Sequence, residues 1–199
     1  MIIGLTGKFC TGKNRVGSLM EKDGWYVIDV DYLGHEALYR SKERLLSYFG
    51  DTILGVDGEI DRKKLGSIVF ADHIKLTFLE AVTHPLMVSM CEEMIKDRDT
   101  SQYPKGTVLN AAVLHKMGLN KFCDMIIYVK AWQLFRFQRA KSTRSMSLSD
   151  YIRQDRVQKM LEPKYFFDEI PIYVILNNHG DDRLKRQLQA LYKHLDQNT

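Results

Sequence analysis

The eight residues from Gly7 to Asn14 read GKFCTGKN, and this stretch decides the fold. It follows a short apolar run, Ile2–Thr6, and precedes a helical pattern, which is the strand–turn–helix context of the phosphate-binding loop GxxxxGK[ST]. Glycines let the backbone N–H groups of such a loop point at phosphate oxygens, and the helix N-terminus adds positive potential. The pattern therefore predicts an ATP site at residues 7–15, with Lys13 bridging the β- and γ-phosphates. The predicted ATP-binding residues are Gly7, Lys8, Phe9, Cys10, Thr11, Gly12, Lys13, Asn14 and Arg15. The alternative is an ordinary glycine turn that carries a lysine.

One position departs from the phosphate-loop pattern. Asn14 stands where the pattern has a Ser or Thr, whose hydroxyl ligates Mg²⁺. An amide oxygen can contact Mg²⁺, but this ion demands near-ideal octahedral geometry and the amide side chain is longer than a hydroxyl. We expect ATP and Mg²⁺ as cofactors, with Asn14 as a poor ligand of the metal or one that acts through a water molecule.

Four further apolar runs follow the first, and none of them alternates cleanly with polar residues. Strands that are apolar on both faces are typical of a parallel sheet covered by helices. The runs therefore predict an α/β fold, a P-loop NTPase-type parallel sheet of about five strands flanked by helices. They are Tyr26–Val30, Thr107–Leu114, Met125–Val129 and Tyr173–Asn177.

The segment between the second and third runs is too long for one crossover. We interpret residues 32–104 as a mainly helical, substrate-binding insertion, and residues 1–31 and 105–199 as the kinase core, with a helical lid at about 136–160. Inside the insertion, Asp61 is expected to cap a helix, with Ile60 and Leu65 as a hydrophobic staple. A second helix there is expected to be interrupted at His84-Pro85, because proline cannot continue a helix. The apolar stripe Leu184, Leu188, Leu191 and Leu195 predicts a C-terminal helix that packs on the core.

Two acidic residues close the second run, Asp29 and Asp31. Ligands of open α/β sheets bind outside the carboxyl ends of the strands, where both the phosphate loop and Asp31 are expected. A carboxylate that orients a hydroxyl and accepts its proton is a recurrent part of phosphoryl transfer. In an extended strand both acids would point to one side, and Asp31 is favoured as the catalytic base because it is nearer the strand end. The alternative is that Asp31 only caps a helix that begins at Tyr32.

Composition limits the class of protein. The chain has 199 residues, 45% of them hydrophobic, with 27% charged residues spread along its length and a formal charge of +4. Its three cysteines are far apart and have no metal-ligand or disulfide spacing, so reduced thiols in a cytoplasmic protein are expected. No apolar run is long enough for a signal peptide or a bilayer span. Basic residues are mixed with acids rather than interleaved with aromatics, which argues against a nucleic-acid partner, and nothing indicates an oligomeric state.

Taken together, these segments resemble the dephospho-CoA kinase family. The opening Ile3–Gly7 with Gly12-Lys13 matches its IGLTGxxxxGK pattern, and residues 27–31 match VIDxD. Residues 57–70 match DGxxDRxxLxxIVF, residues 79–85 match LExxxHP, and Asn178-His179-Gly180 looks like the Asn-x-Gly that follows the last strand. A phosphate loop alone would indicate only a superfamily, whereas the later blocks are specific to this family.

The resemblance implies transfer of the ATP γ-phosphate to the 3′-hydroxyl of dephospho-CoA, the last step of coenzyme A synthesis. It implies that Asp31 is the catalytic base, that Asp31, Arg62 and His84 contact the substrate, and that Asn178 and Gly180 contact ATP. It also implies a lid arginine that neutralises charge on the transferring phosphate, Arg139 being favoured over Arg136. Each of these roles has an alternative. Arg62 could be a surface residue, and His84 could be a residue whose hydrogen bonds are satisfied at a helix break. Arg136 and Arg139 could form a solvated basic face.

Several positions depart from the family pattern. Cys10 replaces a glycine, Asn14 a hydroxyl residue, and His35 an arginine. The third-strand block, D-x-P-L-L-x-E in the family, reads NAAVLHK at residues 110–116. The chain either compensates for these changes or has lost activity, so a regulator that keeps the fold and binds nucleotide or CoA with weak or no turnover is the second hypothesis. A nucleic-acid-binding or nucleic-acid-modifying P-loop protein is the third.

Overall fold

The computed structural model describes residues 1–158 and 170–197. The predicted lid segment ends at about residue 160, so its last two positions lie outside the described residues. In chain order the elements are β1 (Ile2–Thr6), α1 (Lys13–Lys22), β2 (Trp25–Asp29), α2 (Val30–Arg40), α3 (Lys42–Phe49), α4 (Arg62–Ala71), α5 (His73–Lys96), β3 (Gly106–Asn110), β4 (Met125–Lys130), α6 (Gln133–Arg144), α7 (Leu148–Val157), β5 (Ile172–Leu176) and α8 (Asp181–Gln197), with short 3₁₀ turns at Asp51–Ile53 and Leu119–Phe122.

The five strands form one sheet in the order β2-β3-β1-β4-β5, which confirms the predicted α/β fold. Strand β1 pairs in parallel with β3 and with β4, and β4 pairs in parallel with β5. Because β1 is the middle strand, the loop that follows it emerges at the centre of the carboxyl edge of the sheet. That edge is where open α/β sheets bind ligands.

The chain divides into two compact units, residues 1–28 with 98–199, and residues 29–97. In the first unit, apolar residues of the sheet pack against α1 and α8, and the predicted C-terminal stripe is confirmed: Leu184, Leu188 and Leu191 are buried and Leu195 packs beside them. The second unit has its own core, formed by Leu45, Ile53, Leu65, Val69 and Val82.

The predicted cap of α4 is confirmed within the second unit. The Asp61 carboxylate accepts hydrogen bonds from the backbone N–H groups of Lys63 and Lys64. Those two bonds hold the pKa of Asp61 below its usual value. Ile60 and Leu65 both pack in the core of this unit, as the staple requires.

One predicted strand is shorter than expected. Strand β3 ends at Asn110, and residues 112–114 form turns. Leu114 is fully buried all the same, because an apolar residue indicates burial and not necessarily a strand. Helices α2 and α3 are separated at Ser41, whose hydroxyl donates to the carbonyl oxygen of Ala37. Such local bonds compete with the helical ladder and often bend helices.

The expected interruption at Pro85 was wrong. Helix α5 runs through it for 24 residues. Proline in a helix interior removes one hydrogen bond and costs about 3 kcal/mol. The helix buries Val82, Met87, Met90 and Cys91, and this packing offsets the cost.

No helix in the described part of the chain is long and apolar enough to cross a membrane. The three cysteines are unpaired, and Cys91 and Cys123 are buried.

Candidate functional site

The loop after β1 has the backbone of a phosphate-binding turn. Gly7, Cys10 and Gly12 all have positive φ, at 150°, 57° and 90°. A side chain at Gly7 would lie 2.3 Å from the carbonyl oxygen of Val129, so only glycine fits there. The backbone of Cys10 is in the left-handed region, which residues other than Gly, Asn and Asp rarely adopt. The sequence departure at position 10 therefore falls on a point where the backbone favours glycine.

Lys13 begins helix α1 and is largely buried, with 9% of its surface exposed. Its Nζ donates to the carbonyl oxygen of Gly7 at 3.3 Å, so the ammonium lies across the loop. Arg15, two residues further along, pairs through its guanidinium with both carboxylate oxygens of Asp181, in the first turn of α8. This bond lowers the pKa of Asp181.

Arg139 of α6 donates hydrogen bonds to the backbone of the phosphate loop. Its Nη1 donates to the carbonyl oxygens of Cys10 at 3.3 Å and Thr11 at 3.2 Å. Its Nη2 donates to the carbonyl oxygen of Asn177 at 2.7 Å. Burial lowers the pKa of this guanidinium from its usual value. In this structure the predicted catalytic arginine contacts loop carbonyls, and its contact with a transferring phosphate stays a prediction.

Asn177, at the end of β5, is a site residue that sequence reasoning missed. It is 6% exposed, and its Nδ2 donates to the carbonyl oxygen of Thr11 at 2.8 Å. A side chain at Gly12 would lie 2.2 Å from this nitrogen, so the two residues meet directly. The signal was present, because a polar residue at the carboxyl end of a predicted parallel strand is a candidate for the ligand edge.

Asn178 and Gly180, in the loop after β5, were predicted to contact ATP. The Oδ1 of Asn178 accepts from the backbone N–H of Trp132 at 2.8 Å, which ties the loop after β5 to the start of α6. Gly180 has φ of 77° just before α8. The rings of Trp132, Phe135 and His179 cluster here, with centroids 6.0–6.4 Å apart.

Arg136 lies in α6, on the side that contacts the loop and α7. It is 5% exposed, and its Nε donates to the carbonyl oxygen of Phe9 at 3.0 Å. Its Nη2 lies 2.7 Å from Oδ1 of Asp155 in α7, although the two atoms are not aligned as a hydrogen bond. The guanidinium also faces the rings of Phe9 and Tyr151. The predicted alternative of a solvated basic face is wrong for this residue, because it is buried.

The backbone N–H of Phe9 is also engaged, since it donates to Oε1 of Gln158 at 2.7 Å. Arg136 of α6 and Gln158, which follows α7, therefore hold both the carbonyl and the N–H of Phe9.

Two residues that depart from the family pattern, Asn14 and Asn110, are in contact. Asn110 ends β3, and its Nδ2 donates to Oδ1 of Asn14 at 3.0 Å. The side chain of Asn110 is buried, and its own Oδ1 has no hydrogen-bond partner. Amide oxygens are hard ligands that suit Mg²⁺, so this pair fits the metal in donor type. However, the described residues contain no group of three or more His, Cys, Asp or Glu side chains that could hold an ion by themselves.

The remaining predicted residues belong to the second unit. Strand β2 ends at Asp29, and Asp29 caps α2 by accepting from the N–H of Tyr32 at 3.2 Å. Asp31 therefore lies in the first turn of a helix, exposed, rather than beside Asp29 on an extended strand. The prediction that Asp29 and Asp31 point to the same side of a strand was wrong, and so was the alternative that Asp31 caps the helix. Both failed because the helix begins two residues earlier than expected.

Arg62 and His35 are neighbours in this unit. Nη1 of Arg62 contacts Nε2 of His35, and the His35 ring lies 5.1 Å from that of Tyr32. The histidine that replaces an arginine of the family pattern is thus next to the predicted substrate arginine. His84 is half-buried in the middle of α5.

Comparison with known proteins gives consistent matches along the chain. A family model described as dephospho-CoA kinase matches residues 1–180. The dephospho-CoA kinase of Borreliella burgdorferi is 33% identical over an alignment of 196 residues, which covers 95% of this chain and 91% of that protein. The dephospho-CoA kinase of Aquifex aeolicus is 34% identical over 97% of this chain and 96% of its own length. Among solved structures, the Thermus thermophilus protein TT1252 is similar, with a TM-score of 0.82 and 27% identity over 98% of this chain and 97% of that one.

Proposed function

Because this chain belongs to the dephospho-CoA kinase family, we infer that it transfers the γ-phosphoryl group of ATP to the 3′-hydroxyl of dephospho-CoA, giving CoA and ADP. The observation that carries this conclusion is the phosphate-loop backbone at residues 7–13, with Lys13 lying across it. The matched family and the relatives named above are described as dephospho-CoA kinases, so no comparison favours the regulator without turnover.

The first unit is proposed to bind and orient the triphosphate. N–H groups of residues 7–14 and the N-terminus of α1 attract phosphate oxygens, and Lys13 adds a full positive charge. ATP would replace the Gly7 carbonyl as the partner of the Lys13 ammonium. Arg139 is proposed to fix the peptide planes of Cys10 and Thr11, because a guanidinium that holds two carbonyls also fixes the N–H groups on the opposite sides of those peptides.

Asp31 is proposed as the base that orients the acceptor hydroxyl and takes its proton. Its position in the first turn of α2, on the surface of its unit, leaves the carboxylate accessible to a substrate. Arg62 and His84 are proposed to contact dephospho-CoA, with Arg62 suited to a phosphate through its guanidinium. Residues 32–104 are proposed as the substrate-binding insertion and residues 136–160 as the lid.

Mg²⁺ bound with ATP would neutralise charge on the β- and γ-phosphates. Asn14 and Asn110 are the residues that would face it. Asn178 and Gly180 are proposed to contact the nucleotide at the loop after β5. A cytoplasmic location is part of the proposal and is supported by three unpaired thiols, which persist in reducing compartments.

A coupled ADP-release assay with ATP, Mg²⁺ and dephospho-CoA tests this function. CoA itself is the matched control acceptor, because its 3′-position already carries a phosphate. We expect turnover with dephospho-CoA, a product heavier by one phosphoryl group, and no turnover with CoA. Binding of both ligands without ADP release would favour the regulator. Salt-sensitive retention on RNA or DNA with no kinase activity would favour the nucleic-acid protein.

A further inference from the structure

Two positions that depart from the family pattern form one contact in this chain. Asn14 is the second residue of α1, and Asn110 is the last residue of β3, the strand next to β1. Asn110 is paired in register with Leu5, and its Nδ2 donates to Oδ1 of Asn14 at 3.0 Å. The two amides are therefore joined side chain to side chain at the carboxyl edge of the sheet.

The second observation is an orphaned atom in the same pair. Asn110 is 3% exposed, and its Oδ1 is buried without a hydrogen-bond partner. Leaving a buried acceptor unsatisfied is costly, so such atoms in folded proteins usually have a bound donor. Because this atom is closed to solvent, the pair offers a metal only the Oδ1 of Asn14, which already accepts from Asn110.

In P-loop enzymes the metal is held by the loop hydroxyl and by an acidic residue that follows a strand. This chain has a neutral amide at both places, and the amides bond to each other. We propose that Asn14 and Asn110 act as a single uncharged unit at the two places where such enzymes hold the metal, so that ATP binding depends only weakly on Mg²⁺. The proposal rests on the inferred kinase function, because that function supplies ATP as the ligand.

The physical reason is the missing negative charge. A carboxylate at residue 110 would attract a divalent ion and repel the triphosphate when the ion is absent, so it would couple the two ligands strongly. Couplings between two ligands typically change affinity about 5- to 150-fold. With two neutral amides, we expect the coupling between Mg²⁺ and ATP to fall at or below the lower end of that range.

The test is a calorimetric measurement of ATP affinity, once with Mg²⁺ and once with EDTA, without dephospho-CoA. The proteins are the unaltered chain, Asn14→Ser, Asn110→Asp and the double variant, together with their melting temperatures without ligand. Gln102→Glu, on an exposed segment before β3, adds the same charge elsewhere and is the matched control. We expect the ratio of the two affinities to be about 5 or less in the unaltered chain and in the control, and about tenfold larger in the double variant.

The single variants test whether the residues act as a unit. Asn14→Ser removes the partner of a buried amide, so it should lower the melting temperature more alone than it does when combined with Asn110→Asp. Equal affinity ratios in all five proteins, or strictly additive effects, would overturn the proposal and leave the contact as packing. ATP binding without turnover of dephospho-CoA would instead contradict the proposed function and leave this inference standing, while no ATP binding under either condition would end both.

Discussion

Arg136 and Phe9 are joined by a hydrogen bond from the buried guanidinium to a phosphate-loop carbonyl, at 3.0 Å. The loop is therefore held by helices α6 and α7 as well as by its own strand and helix. Because Asp155 lies against the same guanidinium, part of the stability of the loop depends on an ion pair between α6 and α7.

Breaking this pair should destabilise the fold. We expect Asp155→Asn to lower the free energy of unfolding by about 1–3 kcal/mol, because it leaves a mostly buried guanidinium without its charged partner. Urea denaturation measures the change. The exposed pair of Arg153 and Asp150, on the same helix, is the matched control, and Asp150→Asn should cost less, within about 1 kcal/mol. Equal losses from the two variants would mean that the burial of Arg136 contributes nothing.

Replacing Arg139 should weaken nucleotide binding. Arg139→Lys keeps the charge but cannot make all the carbonyl contacts, so we expect the KM for ATP to rise about tenfold, from the loss of one or two hydrogen bonds. If Arg139 only positions the loop, kcat should fall much less than the KM rises. A large fall in kcat at unchanged KM would instead indicate the predicted contact with the transferring phosphate. Arg144→Lys, exposed at the end of the same helix, should leave both constants unchanged.

Asp31→Asn should lower kcat by roughly 10²- to 10⁴-fold with little change in ATP affinity, because the amide cannot accept the proton. The matched variant is Asp29→Asn, which keeps the helix cap since Asn caps as well as Asp. We expect near-normal turnover from it. A near-normal rate from Asp31→Asn would remove this residue from the catalytic role, and equal losses from both would show that the two acids act together.

Cys10 tests the backbone strain of the loop. Cys10→Gly and Cys10→Ala both remove the thiol, but only glycine is free of the steric cost of φ near 57°. We therefore expect the glycine variant to be more stable than the alanine variant by about 1 kcal/mol, measured by thermal and urea unfolding. An alanine variant of equal or higher stability would show that the left-handed conformation is not strained here.

Pro85→Ala should stabilise helix α5. It restores an N–H that can donate to the carbonyl oxygen of Ala81, and we expect a gain of about 1–3 kcal/mol in the free energy of unfolding. Ser89→Ala, exposed on the same helix, is the control and should change stability by less than about 0.5 kcal/mol. A loss of stability in Pro85→Ala would mean that the helix packs around a bend set by the proline.

Local patterns predicted the sheet and the phosphate loop, because both depend on residues that are adjacent in sequence. The run Ile2–Thr6 and the glycines after it carry their own conformational preferences, and the structure agrees with them. The start of α2 was misplaced by two residues, since VIDVD suits both a strand end and a helix start and only the cap formed by Asp29 decides between them.

The contacts that complete the candidate site could not be predicted in the same way. Asn177 and Gln158 reach the loop from more than a hundred residues away, and no spacing rule connects them to Gly7–Lys13. Asp155 acts one contact further out, through Arg136. The Asn14–Asn110 contact is similar. The sequence marks each residue as unusual, but only the pairing of β3 beside β1 brings the two amides together.

Gly12 has a consequence for how this chain can change over time. Any side chain at this position would displace the Asn177 amide, which bonds to the Thr11 carbonyl and accepts from Arg139. Substitution at Gly12 would thus be felt at the end of β5 and in α6 as well as in the loop. We expect Gly12, Arg139 and Asn177 to be inherited as a set. A homologue with a different residue at one of these positions should carry matching replacements at the other two.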